Sequence, residues 1–500
     1  MPPLIRISLF ATLLGSALTC QAEPQTLPLD RALSVIPAQQ HHDQQVELLN
    51  RTRQAVQMAD VAIRRPAGRA QVSLQPMFSS QQGSWPFEPF VNNGLFRAIA
   101  GYQSHHPQAV VISGGSITLA QLADALHDPR VLRRHKDGYL LSYPLMITAN
   151  GGLILEGTSL YLYNFSGTAL INQGLLSLNQ SRLEGWTGEK TSDTDRAYRP
   201  FVVSWAGSST QILDSTLSRL GYNANLSQGL STAISTQQAA STPAANVLIR
   251  NSHFTELSTA VNLQHARAQI EQSTFEQQQQ YAIDLNNSQA QLRGNSIRGV
   301  ENNSGIRVRG QTRALIKDNL ILTTAKAGIE VSEQAGALLI TGNRIGDSKG
   351  NGIQLRNLSG NDGALMIVDN LISNSQGSAI DASEVQSLAI LDNRITTSPE
   401  YAISLRNAAP LPGELALTGN RLGAIGKAVV RVEGIDNVVL GHNRYQGKPM
   451  LQNLLIGDLM PVQSLLLDAT VRQNCVVQIR RSPDAAPPSA LACTDSSLAQ

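Results

Sequence analysis

A repeat of about 23 residues runs through the second half of the chain and constrains the fold more than any other feature. In each repeat a short aliphatic strand is followed by a polar residue, usually Asn, which we call the anchor. Consecutive anchors lie 22 to 27 residues apart. Some eight to eleven residues after each anchor, Gly or Ala precedes an Ile or Val that opens a polar/apolar alternation typical of a β-strand. The anchors are Asn251, Ser273, Asn295, Asn319, Asn343, Asn370, Asn393, Asn420 and Asn443, and the opening apolar residues are Val261, Ile283, Ile306, Ile329, Ile353, Ile380, Ile403 and Val429.

A unit this short, with two or three strands, cannot bury its apolar face alone and must stack on copies of itself. Stacked strands lie about 4.8 Å apart, with Ile, Leu and Val in internal ladders and Asn at a corner. Leucine-rich solenoids have a similar period, but their LxxLxLxxN spacing is absent, because here the apolar block follows the Asn. The sequence therefore predicts an all-β fold, a right-handed parallel β-helix solenoid with a helical N-terminal cap and a C-terminal cap.

Four regions are predicted along the chain. Residues 1–22 are typical of a secretory signal peptide, and their apolar run is shorter than the ~20 residues that a membrane anchor needs. Residues 23–137 are expected to be a capping region with helices at 41–65 and 116–136, followed by the β-helix at 138–446 and the C-terminal cap at 447–500. We therefore expect export and, after cleavage, no membrane insertion.

Two cysteines, Cys475 and Cys493, remain in the predicted mature chain. In an oxidising compartment they would form a disulfide in the C-terminal cap that stabilises it by about 3 kcal/mol, the alternative being two unpaired thiols. The sequence has no CxxC and no Cys/His cluster with metal-ligand spacing. It therefore predicts neither a metal site nor a cofactor.

Charge and periodicity together indicate the class of ligand. With 39 Lys+Arg against 37 Asp+Glu, the net charge of +2 argues against nucleic acid as the main partner. In the strands that the Ile or Val residues open, the outward positions form two columns. In the second column, Arg recurs at every other coil. Two coils span about 9.6 Å, close to the roughly 10 Å disaccharide step of an extended 1,4-linked polyuronate. The first column is Asn262, Asp284, Arg307, Glu330, Gln354, Asp381 and Ser404, and the second is Gln264, Asn286, Arg309, Ser332, Arg356, Ser383 and Arg406.

Arginine's planar fork suits carboxylates at this spacing, so the columns predict binding of an anionic polysaccharide, weakened by salt. The alternative is that these arginines are ordinary solvated surface residues. Arg307, Arg309, Arg356 and Arg406 are the predicted substrate-binding arginines of the columns.

The run at 197–207, followed by Leu-Gly-Tyr-Asn at 220–223 and Gly-Leu-Ser at 229–231, resembles the periplasmic mannuronan C5-epimerases of bacterial alginate biosynthesis. The resemblance covers roughly residues 110–290 and includes Arg199, a further candidate for substrate binding. It implies a right-handed β-helix, polymannuronate as substrate, the periplasm rather than secretion, and a place in an exopolysaccharide biosynthetic complex. It also implies inversion at C5, which needs a base, an acid and neutralisation of the uronate carboxylate.

The family carries an Asp-Pro-His-Asp motif whose His is the expected base. Aligned through Tyr281, that motif becomes Asp284-Leu285-Asn286-Asn287 in this chain. An amide cannot abstract a proton, so the resemblance implies a site without its usual base, in which Asn286 and Asn287 bind substrate. The remaining candidates for catalysis are Asp284, His265 and Tyr222, and His253 is a weaker substitute base.

Three functions remain open at this point. The first is an exported protein that binds an acidic polysaccharide through a site that has lost its base. The second is an active C5-epimerase or polysaccharide lyase with a rearranged base. The third is a structural or adhesive β-helix.

Overall fold

The computed structural model describes residues 31–493, apart from residues 79–84, 93, 104–105, 189–197, 223, 335, 359–364, 424–425, 447–453, 484–490 and 492. The signal peptide predicted at 1–22 lies outside the described residues. The chain forms a right-handed parallel β-helix whose coils carry three parallel sheets, as the repeat predicts. Among the described residues, no helix combines the length and apolar character needed to cross a membrane.

Sheet 1 contains the strands opened by the Ile/Val block, and it bears the two predicted columns. In coil order it consists of Gln108–Ser113, Leu145–Ile147, Leu170–Asn172, Val202–Trp205, Leu230–Ala233, Val261–Gln264, Ile283–Asn286, Ile306–Gly310, Ile329–Gln334, Ile353–Leu358, Ile380–Val385, the first parts of Tyr401–Thr418 and Ala428–Gly441, and Leu455–Gly457.

Sheet 2 follows sheet 1 around each coil, and the long strands Tyr401–Thr418 and Ala428–Gly441 continue from one sheet into the other. Its other parallel strands are Gly115–Thr118, Gly151–Glu156, Leu175–Asn179, Ser209–Leu213, Ala245–Arg250, Ala266–Glu271, Gln289–Arg293, Arg313–Lys317, Leu338–Thr341, Leu365–Val368 and Leu388–Leu391.

Sheet 3 completes the coil. It consists of Leu132–His135, Gly138–Leu141, Ser159–Tyr163, Arg182–Trp186, Thr216–Ser218, His253–Thr255, Thr274–Glu276, Ser296–Val300, Leu320–Thr324, Arg344–Ser348, Leu371–Ser373, Arg394–Ile395, Arg421–Gly423 and Arg444–Gln446. The first two of these strands are antiparallel to each other, and all later neighbours are parallel.

The core is a set of aliphatic stacks, because each strand alternates inward apolar and outward polar residues. Val261, Ile283 and Ile306 stack in register, as do Leu263, Leu285 and Val308, and all six side chains have 0% exposure. The alternation fixes which residues of sheet 1 face solvent.

A buried polar ladder runs along the corner between sheets 2 and 3. Asn319 shows the pattern: its backbone N–H and its Nδ2 both donate to Oδ1 of Asn343, each at 2.9 Å. The same pair of bonds recurs from Asn295 to Asn443. In earlier coils Ser hydroxyls replace the amides, from Ser181 onward.

Two predicted repeat positions are wrong by one residue. The ladder residue in the first strong repeat is Ser252, which donates its N–H to Ser273, and not Asn251. Asn251 instead occupies the left-handed corner before the ladder, with φ of 50°. Asn tolerates both positions, which is why the pattern misaligned there. In the last repeat, Val430 rather than Val429 pairs with Ile403.

The helices are α1 (Ala38–Val56), α2 (Leu95–Tyr102), α3 (Leu119–Leu126) and α4 (Gln463–Leu467), with shorter helical turns at Glu88–Phe90, Asn164–Ser166, Met460–Val462 and Asp468–Arg472. The N-terminal helix expected at 116–136 is α3, which begins with a capping box from Thr118 to Gln121. It is shorter than predicted because the chain turns at His127, with φ of 50°, into the first strands of sheet 3.

The structure places the first described residues at the opposite end from the cap expected there. Strand Arg31–Ile36 pairs antiparallel with Val476–Arg481, the strand that closes the C-terminal end. Helix α1 then packs on the outer face of sheet 2, with Val56 against the cluster that includes Leu339 and Met366. The helix predicted at 41–65 therefore ends at Val56.

Residues 57–66 run back along sheet 2 as an extended strap. Its backbone is held by side chains of the sheet: Gln269 Oε1 accepts from Val61 N at 2.8 Å, and Gln291 Nε2 donates to Met58 O at 3.3 Å. At the N-terminal end, Ser116 Oγ donates to Pro66 O at 2.8 Å. The strap takes the place of the last turns predicted for α1. Side chains of sheet 2 supply hydrogen bonds to its backbone N–H and C=O groups, which in a helix would bond to each other.

A disulfide joins Cys475 to Cys493, with the Cα atoms 6.1 Å apart. Cys475 directly precedes the antiparallel strand Val476–Arg481, so the bridge ties the closing strand to the last described residues.

Replacement of Asn343 by Ala should destabilise the solenoid by about 3 kcal/mol, because the backbone N–H of Asn319 and one hydrogen of its Nδ2 would lose their acceptor in a buried corner, and the Ile316 carbonyl would lose a donor. The free energy of unfolding from denaturant titration measures the effect. The matched control is Asn302→Ala, an exposed asparagine whose replacement should cost below about 1 kcal/mol. Equal losses for the two variants would contradict the role given to the ladder.

The stability of the protein should fall between pH 6.5 and pH 4 because of His41. Burial, followed by the nearby His442 and His42, lowers its pKa from 6.5 to about 4. As the pH falls, His41 takes up its proton in the unfolded chain before it does so in the folded protein. The free energy of unfolding should therefore drop by about 2 kcal/mol between pH 6.5 and pH 4. Thermal unfolding of His41→Gln across this range should show a flatter profile than that of the wild type.

Candidate functional site

The outward face of sheet 1 is covered in the early coils and accessible in the later ones. Phe90, together with Leu95 and Ile99 of α2, packs in a buried cluster with Val203 and Trp205 of sheet 1. From the strand Val261–Gln264 onward, the outward side chains that retain exposure include all four arginines of the predicted columns. We call this accessible face, from Asn262 to Arg406, the groove.

The strand register confirms the two columns. Arg309, Ser332, Arg356, Ser383 and Arg406 are successive partners, so arginine recurs at every second coil on one face. At about 4.8 Å per coil, the three arginines form rungs about 9.6 Å apart.

Asp284 lies at the centre of the first cluster of the groove. Arg307 in the next coil contacts it with both branches of its fork, Nε to Oδ1 at 3.0 Å and Nη2 to Oδ2 at 2.6 Å. Arg309 donates to Oδ2 at 3.2 Å. The third donor branch of Arg307, Nη1, lies 2.9 Å from the hydroxyl of Tyr281, and its guanidinium stacks 4.0 Å from the ring centroid. One carboxylate therefore orients two guanidinium groups.

A cleft of about 380 Å³ opens beside this cluster. It lies between the loop that carries Asn225 and Leu226 and the start of the groove. Two buried polar atoms on its lining residues have no hydrogen-bond partner among the described residues: Asn262 Oδ1 and Arg309 Nε. Its lining consists of Ala224, Asn225, Leu226, Gln228, Thr259, Asn262, Gln280, Tyr281, Asp284, Asn303, Arg307 and Arg309.

These contacts decide what the cleft can do chemically. Buried polar atoms usually have a hydrogen-bond partner, so Asn262 Oδ1 and Arg309 Nε mark a part of the lining where the described residues leave hydrogen bonding incomplete. Burial raises the pKa of Tyr281, which keeps its phenol protonated. Both oxygens of Asp284 already accept from guanidinium groups. The cleft is built to donate hydrogen bonds rather than to remove a proton.

A second cluster surrounds Asp381, four coils further along the first column. Arg356 Nη2 lies 2.6 Å from Asp381 Oδ2, and its Nη1 donates to Ser383 Oγ at 2.6 Å. Arg406 lies 3.9 Å from the other carboxylate oxygen. The groove from Asn262 to Arg406 thus carries four arginines against three carboxylates, those of Asp284, Asp381 and Glu330, which leaves one excess positive charge.

Several predicted site residues lie elsewhere. Tyr222 is 8% exposed and packs between Tyr198 and Phe201, in the aromatic cluster that lies beneath the cover formed by α2 and its flanking segments. Burial there raises the pKa of Tyr222. Arg199 donates to the carbonyl of Glu256 at 2.9 Å and does not line the cleft.

The histidines are also displaced from the cleft. His265 occupies a left-handed corner at the end of its sheet 1 strand, and its Nε2 lies 3.2 Å from the Thr242 carbonyl. His253 lies on sheet 3, 3.8 Å from Glu276.

Asn286 shares the groove register with Gln264 and Arg309, at the edge of the first cluster. Asn287 lies in the corner that follows, where its Oδ1 accepts from Gln311 N at 2.9 Å. The structure therefore brings together Asp284, Asn286, Arg307 and Arg309, and it separates them from Tyr222, His265 and Arg199.

Sequence reasoning missed Tyr281 and Asn262 as parts of the site. Tyr281 lies three residues before Asp284, just ahead of the same sheet 1 strand, and this closeness in sequence was the signal that could have identified it. Asn262 was visible as the first column member, but its unpartnered Oδ1 depends on neighbours distant in sequence. Within the described residues, no group of three or more His, Cys, Asp or Glu side chains is arranged to hold a metal ion.

Comparisons with known proteins agree with this architecture. The family described as "Right handed beta helix region" matches residues 238–395. The mannuronan C5-epimerase of Pseudomonas aeruginosa is 30% identical over 177 residues, which cover 34% of this chain and 31% of that protein. The mannuronan C5-epimerase of Pseudomonas putida is 26% identical over 405 residues, 71% of this chain and 76% of that protein.

The crystal structure of the periplasmic alginate epimerase AlgG superposes with a TM-score of 0.67 at 17% identity, covering 78% of this chain and 100% of that one. This likeness supports the fold. The chain is a right-handed parallel β-helix protein similar to the mannuronan C5-epimerases.

Proposed function

We propose that this protein binds an acidic linear polysaccharide of the alginate type in the groove of sheet 1, in the periplasm, and that its site lacks the base used by the epimerases it resembles. The observation that carries the proposal is the cleft at Asp284, where two oriented guanidinium groups meet an unpartnered donor and an unpartnered acceptor. The relatives are named for mannuronan or alginate, which supplies the class of polymer.

A uronate sugar matches the groups that the cleft offers. Its carboxylate would accept from the guanidinium group of Arg309, whose side chain is 31% exposed, and a ring hydroxyl would bind beside Asn262 in the cleft lining. Arg307 is already committed to Asp284 and Tyr281, so its main role is to hold that carboxylate in place. Binding therefore depends on hydrogen-bond geometry more than on net charge, since the groove has only one excess positive charge.

The same contacts argue against proton abstraction. Asn286 occupies the position where the resemblance places His, and the cleft lining has neither His nor Lys among the described residues. Asp284 is held by two arginines, and removing it from them to act as a base would leave a buried charge unpaired. His265 is engaged by the Thr242 carbonyl at the corner.

One observation favours the second candidate, an active epimerase or lyase. Tyr281 places a protonated phenol in the cleft beside Arg307, which would serve as the acid half of such a reaction. A base would still have to come from water. A purely structural or adhesive β-helix has no need of the unpartnered groups in the cleft.

Arg309→Ala should weaken binding of polymannuronate at least about tenfold, because it removes a charge-assisted hydrogen bond while Asp284 keeps its two bonds to Arg307. Isothermal titration at low and high salt would measure the change, and wild-type affinity should fall as salt rises. Arg394→Ala, an exposed arginine on sheet 3, is the matched control and should bind like the wild type. Equal affinities for Arg309→Ala and the wild type would refute the assigned site.

Incubation with polymannuronate in heavy water should produce neither deuterium at C5 nor unsaturated chain ends, because the cleft lacks a free base. NMR reports both products directly, and the Pseudomonas aeruginosa epimerase is the positive control. Deuterium without unsaturated ends would establish an epimerase, and unsaturated ends would establish a lyase. Either result would overturn the absence of a base while leaving the groove as the binding surface.

A further inference from the structure

The cluster at Asp381 repeats, with a different geometry, the arrangement at Asp284. Each places a nearly buried aspartate of the first column between two arginines, with Asp284 at 3% exposure and Asp381 at 6%. At Asp284 both arginines come from the following coil, whereas at Asp381 they come from the two flanking coils. The second cluster therefore draws two arginines from opposite sides towards one carboxylate, closely for Arg356 and more loosely for Arg406.

The Cα atoms of the arginines in the second column lie at equal steps along the groove. Arg309, Arg356 and Arg406 are two coils apart in turn, which gives about 9.6 Å per step and about 19 Å in all. An extended 1,4-linked polyuronate advances about 10 Å for every two sugars, and in a two-fold ribbon every second carboxylate lies on the same side. The steps of the groove and the polymer agree to within about 1 Å over two coils.

The second cluster also has an unpartnered polar group. Ser404 follows Asp381 in the first column, and its side chain is 1% exposed. Its Oγ has no hydrogen-bond partner among the described residues.

We propose that Arg356 and Arg406 form a second uronate-binding subsite, so that one polymer chain places three alternate carboxylates against Arg309, Arg356 and Arg406. The inference rests on the proposed function and adds a length requirement, since a chain of five sugars is the shortest that reaches all three rungs. Asp381 is a positioning residue, which holds Arg356 at 2.6 Å.

Arg406 is the arginine best suited to a test. Its side chain is 45% exposed, and it lies 3.9 Å from Asp381, which keeps its close contact with Arg356 when Arg406 is removed. Its replacement should therefore leave the fold and the first cluster intact. Arg394→Ala, with an exposed arginine on sheet 3 in the preceding coil, is the matched control.

The experiment is isothermal titration of the full chain with oligomannuronates of three, five and seven sugars, with thermal unfolding to verify that each variant is folded. We expect wild-type affinity to rise about tenfold from the trimer to the pentamer, for one added charge-assisted contact, and to change little beyond it. Arg406→Ala should lose that gain while binding the trimer within about twofold of the wild type, and Arg394→Ala should keep it.

Two results overturn the subsite while the proposed function stands: a wild-type pentamer that binds no tighter than the trimer, or an Arg406→Ala variant that retains the gain. A third, equal weakening of trimer and pentamer by Arg406→Ala, would show that this arginine does not act as a separate rung. If the wild type binds no oligomer of any length, the proposed function fails and the subsite with it.

Discussion

The stacking of coils at one strand spacing is the constraint on which the rest of the molecule depends. Backbone hydrogen bonds set the rise of each coil, and the Ser and Asn ladder keeps the corner between sheets 2 and 3 in step, as at Asn319 and Asn343. Because every coil rises by the same distance, side chains two coils apart lie at a fixed separation. The spacing of Arg309, Arg356 and Arg406 is thus a consequence of the fold, and only the choice of residue at each rung is left to the site.

Such a ladder of arginines creates an electrostatic problem that the aspartates solve. Guanidinium groups that share one face of the sheet, like Arg309 and Arg356 two coils apart, repel one another on a partly buried surface. Asp284 and Asp381 offset this repulsion and fix the orientation of their partners. The groove therefore holds ordered donors with little excess charge, an arrangement that selects a ligand by the positions of its oxygens.

The repeat made the core and both columns predictable, since strand alternation decides inside from outside and the period decides which residues stack. Local pattern could not predict contacts across more than 200 residues, such as Val61 with Gln269, and so missed the strap. The family resemblance made Tyr222 a candidate for catalysis, although the segments over sheet 1 bury that residue. Asn251 failed for another reason: asparagine suits both the left-handed corner and the ladder, so residue type alone did not decide the register.

A solenoid presents similar coils along its whole length, so something outside the repeat must decide where a site lies. Here the cover formed by α2 and its flanking segments buries sheet 1 up to Ala233, and the loop with Leu226 adjoins the first accessible coils. The coils of Asn262 and Asp284 are the first beyond this edge, and there two arginines converge on one carboxylate beside unpartnered polar atoms. Under the proposed function, the repeat would supply the surface along which a polymer lies, and the cover would determine where along that surface the polymer is held most tightly.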